Sequence, residues 1–351
     1  MGGKYFEIPA RAKDKGLSER FGGNGEDRCS GQDRRVEKRK YPSIPRGKKD
    51  LPGIREPQQF DRIFFERDLF PLTREIRRGN YDKQGLRGKE AVVFFYEPST
   101  RTRLSFNMAV HRLGGVVTFS TENARESSSA VKGETVEDTV RNIAGYSPHV
   151  IIMRHDLEGS IERGARFTDI PIINAGDGKG THPTQTATDI FTIDDELGSI
   201  DGKHIVLCGD LANGRTANSL AYSLSNFDVI ISAVSPKNLR LKQGVKDHLS
   251  ERRIPFQEFT SLAEVAADAD VIYQTRAQLE RGTKITSEEE EACRLDRGIL
   301  SMMKKTARIL HPQPRNNELD SSLDEDSRMA IFRQSANGLP IRMALLLMLI
   351  G

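Results

Sequence analysis

Three cysteines are all that this 351-residue chain has, and they stand far apart at Cys29, Cys208 and Cys293. That number and spacing builds neither an even disulfide framework nor a cysteine metal site, so a reducing compartment is the simplest setting. No apolar run reaches the roughly 20 residues that a membrane-spanning helix needs. The apolar end at 344–350 is only seven residues long and follows Arg342. The N-terminus has no apolar signal-peptide core, and "MGGKYF" has Phe6 where a myristoylation signal carries Ser or Thr. Acidic residues scattered through the first 50 positions argue against an organellar transit peptide. These absences predict a cytoplasmic protein with no membrane contact.

The charge is unevenly spread. Residues 1–50 hold 14 Lys/Arg against 8 Asp/Glu, whereas the other 301 residues hold 39 against 42, for a net +3 overall. With much glycine and no sustained apolar period, residues 1–50 read as a disordered or loosely docked basic extension. Its one dense cluster, "RRVEKRK" at 34–40, sits in no nucleic-acid-binding module, so nucleic acid is not an expected partner. The remaining length exceeds one comfortable core and predicts two domains.

From Leu51 onward, short apolar runs alternate with helical segments. "AVVFFY" (91–96), "HVIIMR" (149–154), "PIIN" (171–174), "HIVLCG" (204–209), "DVIISAVS" (228–235), "DVIYQT" (270–275) and "ARIL" (307–310) suit strands buried on both faces of parallel sheets. This is the α/β pattern, in which ligands bind at the carboxyl ends of the strands.

Polar clusters follow these runs. After Tyr96 comes "EPSTRTRLSFNMAVHRLGG", with Phe106, Val110 and Leu113 on one helical stripe and a stop at Gly114 and Gly115. Ser99 or Thr100 would cap that helix. Arg101 and Arg103 then add positive charge to a positive helix end, an arrangement that favours a bound anion such as phosphate. "SSSAVKGETVEDT" (127–139) is a small polar loop carrying Lys132, and Arg154 closes a strand. "NAGDGKGTHPTQ" brings His182 and Gln185 to a helix start. In the second half, "GDLANGRT" (209–216) nearly matches a phosphate-binding P-loop, with Arg215 where the lysine belongs, so a nucleoside triphosphatase is the competing class. "YQTRAQLER" (273–281) puts Arg276 and Gln278 on one side of an extended segment. The prolines of "HPQPR" (311–315) hold a backbone whose carbonyls can accept hydrogen bonds.

Taken together, "FYEPSTRTRLSF", "KGETVEDT", "MRH", "NAGDG…HPTQ", "GDLANGRT", "YQTRAQLER" and "HPQPR" resemble, in order and spacing, the aspartate carbamoyltransferases, from about Pro57 to the C-terminus. "TENARE", "GDLANGRT", "YQTR" and "IRMALL" are most similar to the plant-type branch of the aspartate/ornithine carbamoyltransferase family. The acceptor loop and Cys-Leu-Pro segment of the ornithine enzymes are not present.

The resemblance implies two doubly wound parallel-sheet domains joined by interdomain helices, with the C-terminal helix returning to the first. Residues 51–195 plus 329–351 would bind carbamoyl phosphate, and 196–328 would bind aspartate. Ser99, Thr100, Arg101 and Thr102 would cradle the phosphate, with Ser128 and Lys132 supplied by a neighbouring subunit of a homotrimer. Arg154, His182 and Thr102 would hydrogen-bond the carbamoyl oxygen. Gln185 and the backbone at Gln313 and Pro314 would take its NH2 group. Arg215, Arg276 and Gln278 would grip the aspartate carboxylates, with Lys132 spanning both substrates. The aspartate amine would attack the carbamoyl carbon and expel phosphate, which takes the proton, with no cofactor, metal or covalent intermediate. The other readings are a paralogue acting on another amino acid and a non-catalytic scaffold. Two departures stand out: Gln313 replaces the usual Leu, and Ser127 replaces a plant-type Phe associated with uridylate inhibition.

Overall fold

The computed structural model describes residues 40–45, 52–278 and 285–351. Cys29, most of the basic extension, and Leu279, Glu280 and Arg281 lie outside the described residues. Residues 40–45, the described end of that extension, pack on the body. Tyr41 and Ile44 contact the core, and Lys40 pairs with Asp82.

All seven apolar runs form strands. The first sheet contains β1 (Gly53–Ile54), β2 (Glu90–Phe95), β3 (Val116–Thr121), β4 (Val150–His155) and β5 (Ile172–Asp177). The second contains β6 (Lys203–Cys208), β7 (Val229–Val234), β8 (Phe256–Phe259), β9 (Val271–Gln274) and β10 (Arg308–Leu310). Their orders are β1-β5-β4-β2-β3 and β10-β9-β6-β7-β8, and every pair is parallel. The expected α/β architecture of two parallel sheets is therefore present.

Helices cover the faces. α1 (Phe70–Arg77), α2 (Thr100–Arg112), α3 (Ala124–Ser127), α4 (Val136–Gly145) and α5 (Ser160–Ala165) accompany the first sheet. α6 (Pro183–Leu197) leads to the second, which carries α7 (Arg215–Leu224), α8 (Gln243–Glu251), α9 (Ser287–Ala292) and α10 (Arg297–Met302). The last helix, α11 (Ile331–Ile350), contains the apolar end of the chain and packs on α6, α2 and α1. Among the described residues, no helix is long and apolar enough to cross a membrane.

The stripe on α2 is buried as its spacing predicts, with Phe106 and Leu113 at 0% and Val110 at 1% exposure. Each such side chain contributes about 1.5–3 kcal/mol of burial. Ser99 is the N-cap, and Gly114 ends the helix in the left-handed region at φ 79°. One core runs through both sheets by way of α1, α6 and α11. Within it the rings of Phe65, Phe70, Phe191 and Phe227 stand 5.6–6.1 Å apart.

Both sheets reverse their winding direction in the middle. The chain leaves β2 toward β3 and later returns on the opposite side as β4. It leaves β6 toward β7 and returns as β9. Each reversal opens a crevice at the strands' carboxyl ends, where loops diverge to opposite faces.

Candidate active site

The two crevices open into one cavity of about 460 Å³. The N-terminus of α2 enters it from β2. The Ser99 side chain makes no capping hydrogen bond, and the helix has no acidic residue in its first turn. Of the two arginines in that first turn, Arg103 pairs with Glu122 at 3.2 Å, while Arg101 has no ion pair among the described residues. Partial burial lowers the pKa of Arg101, the sign of a cation in a poorly solvated place with no carboxylate to offset it. Ser99, Thr100, Arg101 and Thr102 all line the cavity.

Arg154 arrives at the end of β4, and Arg215 opens α7 from the other sheet; each is 9% exposed. Between them stands Glu97, which sequence reasoning passed over. Its carboxylate lies 3.0 Å from Arg154 Nη2 and 3.2 Å from Arg215 Nη2. Arg154 also donates to the Ala175 carbonyl (3.2 Å) and Arg215 to the Gly178 carbonyl (2.7 Å). Gly176 makes this approach possible. A Cβ there would lie 2.8 Å from Arg154 Nη1 and 3.1 Å from Arg215 Cζ, and its φ of +124° suits glycine alone.

His182 is the N-cap of α6, with Pro183 opening the helix. The imidazole is buried, and Nδ1 has no hydrogen-bond partner. Burial, reinforced by the charges of Arg215, Arg154 and Arg342, holds its pKa well below the ordinary histidine value. His182 is therefore neutral and has hydrogen-bonding capacity left for a ligand. Gln185, one turn on, lines the same cavity and donates to Asp189.

The second half supplies Arg215, Arg276 and Gln278, all in the cavity wall. The loop that resembled a P-loop is closed on itself. Asp210 accepts the backbone N–H of Asn213 (3.0 Å) within that loop and the N–H of Gln278 (3.2 Å) from the segment after β9, so an internal carboxylate occupies the place where a P-loop would offer N–H groups to phosphate. That geometry speaks against the nucleoside triphosphatase reading. The turn after β10 adds Gln313 (φ 59°) and Pro314, joined by a cis peptide bond.

Ser128 and Lys132 are the exceptions among the candidate residues. They do not line the cavity. Lys132 is exposed, and the Ser128 hydroxyl donates to the Ala124 carbonyl at 2.5 Å. Besides Glu97, sequence reasoning also missed Arg342 of α11. It is 4% exposed, lies 5.1 Å over the Phe106 ring and lines the cavity. Burial lowers its pKa to about 10, with Asp189 opposing. An arginine set between Ile341 and Met343, just before the apolar end of α11, was the available signal. Among the described residues, no cluster of His, Cys, Asp or Glu could hold a metal ion.

A pair of parallel sheets whose switch points share one cation-rich cavity defines an α/β protein built to hold anionic ligands between two halves. Residues 65–195 match the carbamoyl-phosphate-binding domain of aspartate/ornithine carbamoyltransferases, and residues 201–349 match the Asp/Orn-binding domain. The chloroplastic aspartate carbamoyltransferase of Arabidopsis thaliana is 47% identical over 310 residues, covering 86% of this chain and 79% of that protein. The rice (Oryza sativa subsp. japonica) chloroplastic enzyme is 46% identical over 314 residues, covering 86% of each. The crystal structure of Trypanosoma cruzi aspartate transcarbamoylase in complex with carbamoyl phosphate and aspartate superposes with a TM-score of 0.76. It is 34% identical and covers 86% of this chain and 96% of that one. The chain belongs to the aspartate/ornithine carbamoyltransferase family, a family of transferases, and the plant-type features of its sequence fit that placement.

The expectation of a cytoplasmic protein is overturned by the same comparison, because the plant relatives are chloroplastic enzymes.

Proposed function

We propose that this chain is a plastid aspartate carbamoyltransferase. It transfers the carbamoyl group of carbamoyl phosphate to the amine of L-aspartate, the committed step of pyrimidine synthesis. The observation that carries this reading is that both sheets contribute cationic and polar groups to one cavity. Ser99, Thr100, Arg101, Thr102, Arg154 and His182 line it from the strand ends of the first sheet and the elements that follow them, and Arg215, Arg276 and Gln278 from those that follow strands of the second.

In this reading the α2 N-terminus and Arg101 hold the phosphate. Arg154, Thr102 and the neutral His182 hydrogen-bond the carbamoyl oxygen and stabilise the oxyanion that forms as the amine attacks. Gln185 and the backbone at Gln313 and Pro314 take the carbamoyl NH2, and the replacement of Leu by Gln313 leaves that backbone role intact. Arg215, Arg276 and Gln278 take the two aspartate carboxylates. Catalysis is then the orientation of two bound substrates with prearranged donors, and the proton leaves on phosphate. The lobes would be 51–195 with 329–351, and 196–328. The return of α11 onto α2 and α1 supports that division.

The active unit is a homotrimer in which Ser128 and Lys132 reach a neighbour's cavity. Both residues stand outside their own. Nearby, Leu104 on α2, Phe119 on the edge strand β3 and Val131 beside Lys132 are 58%, 46% and 60% exposed, apolar surface suited to a second copy.

The test is an assay of the purified protein with carbamoyl phosphate and a panel of amino acids. Aspartate should be carbamoylated far faster than ornithine, and Arg276→Ala should lose about a hundredfold in kcat/KM. Preferred turnover of a neutral or cationic amino acid would sink the assignment.

A further inference from the structure

Asp189 lies about two turns along α6 from His182, entirely buried, and three elements converge on its carboxylate. Oδ1 accepts from Gln185 Nε2 at 2.7 Å and from Gln334 Nε2 of α11 at 2.7 Å. Oδ2 accepts from the Tyr273 hydroxyl of β9 at 2.8 Å. The Gln334 amide oxygen in turn accepts the His311 backbone N–H at 2.8 Å, and His311 Nδ1 accepts the Gln313 N–H at 2.8 Å.

These contacts determine which way the glutamine amides face. An ionised carboxylate can only accept, so the Gln185 amide nitrogen is committed to Asp189. Its carbonyl Oε1 is then the end left for the cavity that Gln185 lines. Protonation of Asp189 does not reverse this. Oδ1 already receives two amide donors, so a bound proton belongs on Oδ2, facing the oxygen of Tyr273. Gln185 keeps the same orientation in both forms.

We propose that Asp189 is a positioning residue for donor selectivity: it holds Gln185 with its amide oxygen toward the substrate, so that the site accepts an N–H and favours a carbamoyl phosphate over an acyl phosphate with a methyl group in that place. The inference rests on the role assigned to Gln185 under the proposed function. A site that expects a donor and meets a methyl group leaves a polar atom unpaired, which is how such sites discriminate.

The experiment uses the full chain as wild type, Asp189→Ala, Asp189→Asn, Tyr273→Phe and Gln185→Ala. It measures KM for carbamoyl phosphate, Ki for acetyl phosphate as a probe without N–H, and melting temperature. Asp189→Ala should raise KM for carbamoyl phosphate about tenfold while acetyl phosphate Ki stays within about twofold, as Gln185→Ala should also do. Asp189→Asn keeps a carbonyl oxygen where both glutamine amides point and should stay within about threefold of wild type. Tyr273→Phe leaves Oδ1 untouched and should keep the wild-type ratio of the two constants. Asp189→Ser, whose hydroxyl stops short of the glutamine amides, should show the same selective loss and serves if the alanine variant does not fold. Equal weakening of both phosphates in Asp189→Ala or Asp189→Ser would overturn the inference, as would an Asn variant as poor as Ala. If Gln185→Ala keeps the ratio, the role of Gln185 falls and this inference with it. A wild-type protein that transfers no carbamoyl group overturns the assigned activity instead.

Discussion

The carboxylate of Glu97 lies 3.2 Å from Nη2 of Arg215, an ion pair that ties the loop after β2 in the first sheet to the start of α7 on the second. The same carboxylate oxygen lies 3.0 Å from Arg154 Nη2. One internal anion therefore offsets two nearly buried guanidinium groups at the junction of the two crevices. Removing one partner of such a cluster is costly, because the remaining charges keep their desolvation penalty without its compensation.

Glu97→Gln should therefore lower the melting temperature of the ligand-free protein. Inorganic phosphate, which brings a replacement anion into the cavity, should recover part of that loss. Thermal melts of both proteins with and without phosphate would measure it. Phosphate should raise the variant's melting temperature more than the wild type's. An equal rise in both would mean that Glu97 does not serve as the internal counter-charge.

Gly176→Ala should damage the site directly. The added Cβ would press on both Arg154 and Arg215, and the backbone φ of +124° is unfavourable for alanine. A stability cost of about 1–3 kcal/mol is expected, with a larger loss in kcat/KM because both arginines must move. Chemical denaturation and steady-state kinetics on the same preparation would separate the two. Unchanged kinetics would show that the arginines tolerate displacement.

Much of this was legible in the chain, and what was not has a physical cause. The seven apolar runs became strands because parallel strands buried on both faces must be apolar throughout. The three strands that the runs did not reveal, β1, β3 and β8, are all at sheet edges. β1 is two residues long, and β3 exposes Val116 and Phe119 at 55% and 46%, so neither presents a continuous apolar run. The site residues stood out where polar groups follow a strand. Glu97 and Asp189 did not, because each acts through partners from distant elements: Arg215 for Glu97, and Tyr273 and Gln334 for Asp189. Arg103 and Arg101 looked equivalent in sequence until Glu122 was found paired with the first.

Asp189 also sets a pH dependence of stability. Burial raises its pKa from 3.8 to about 7, opposed by the hydrogen bonds from Gln334, Tyr273 and Gln185 and by the charge of Arg342. The folded protein thus holds this proton where the unfolded chain has released it. Its contribution is fully present below the unfolded pKa and is lost as pH rises through about 7. Asp189→Asn has no proton to lose there. Its stability relative to wild type should increase between about pH 5 and 8, by on the order of 1–3 kcal/mol. The depressed pKa of His182 is common to both proteins and cancels in the difference. Denaturation midpoints at the two pH values would read the effect, and a constant difference would mean that Asp189 titrates as an ordinary carboxyl.

The final prediction concerns the shared site. Arg101 lines the cavity of its own subunit, whereas Lys132 is exposed outside it. If Lys132 completes a neighbour's cavity, Arg101→Ala and Lys132→Ala should each leave a nearly inactive oligomer, since phosphate charge goes uncompensated in every site. A mixed trimer is different. At one of its interfaces an intact Arg101 from one subunit meets an intact Lys132 from the next, while the defects collect at another. Mixing the two inactive proteins under conditions of subunit exchange should therefore restore a sizeable fraction of wild-type turnover, with native mass spectrometry confirming that mixed trimers have formed. If mixed trimers form and activity stays at the level of the parents, Lys132 serves its own chain, and the loop that carries it must close over its own cavity when substrate binds.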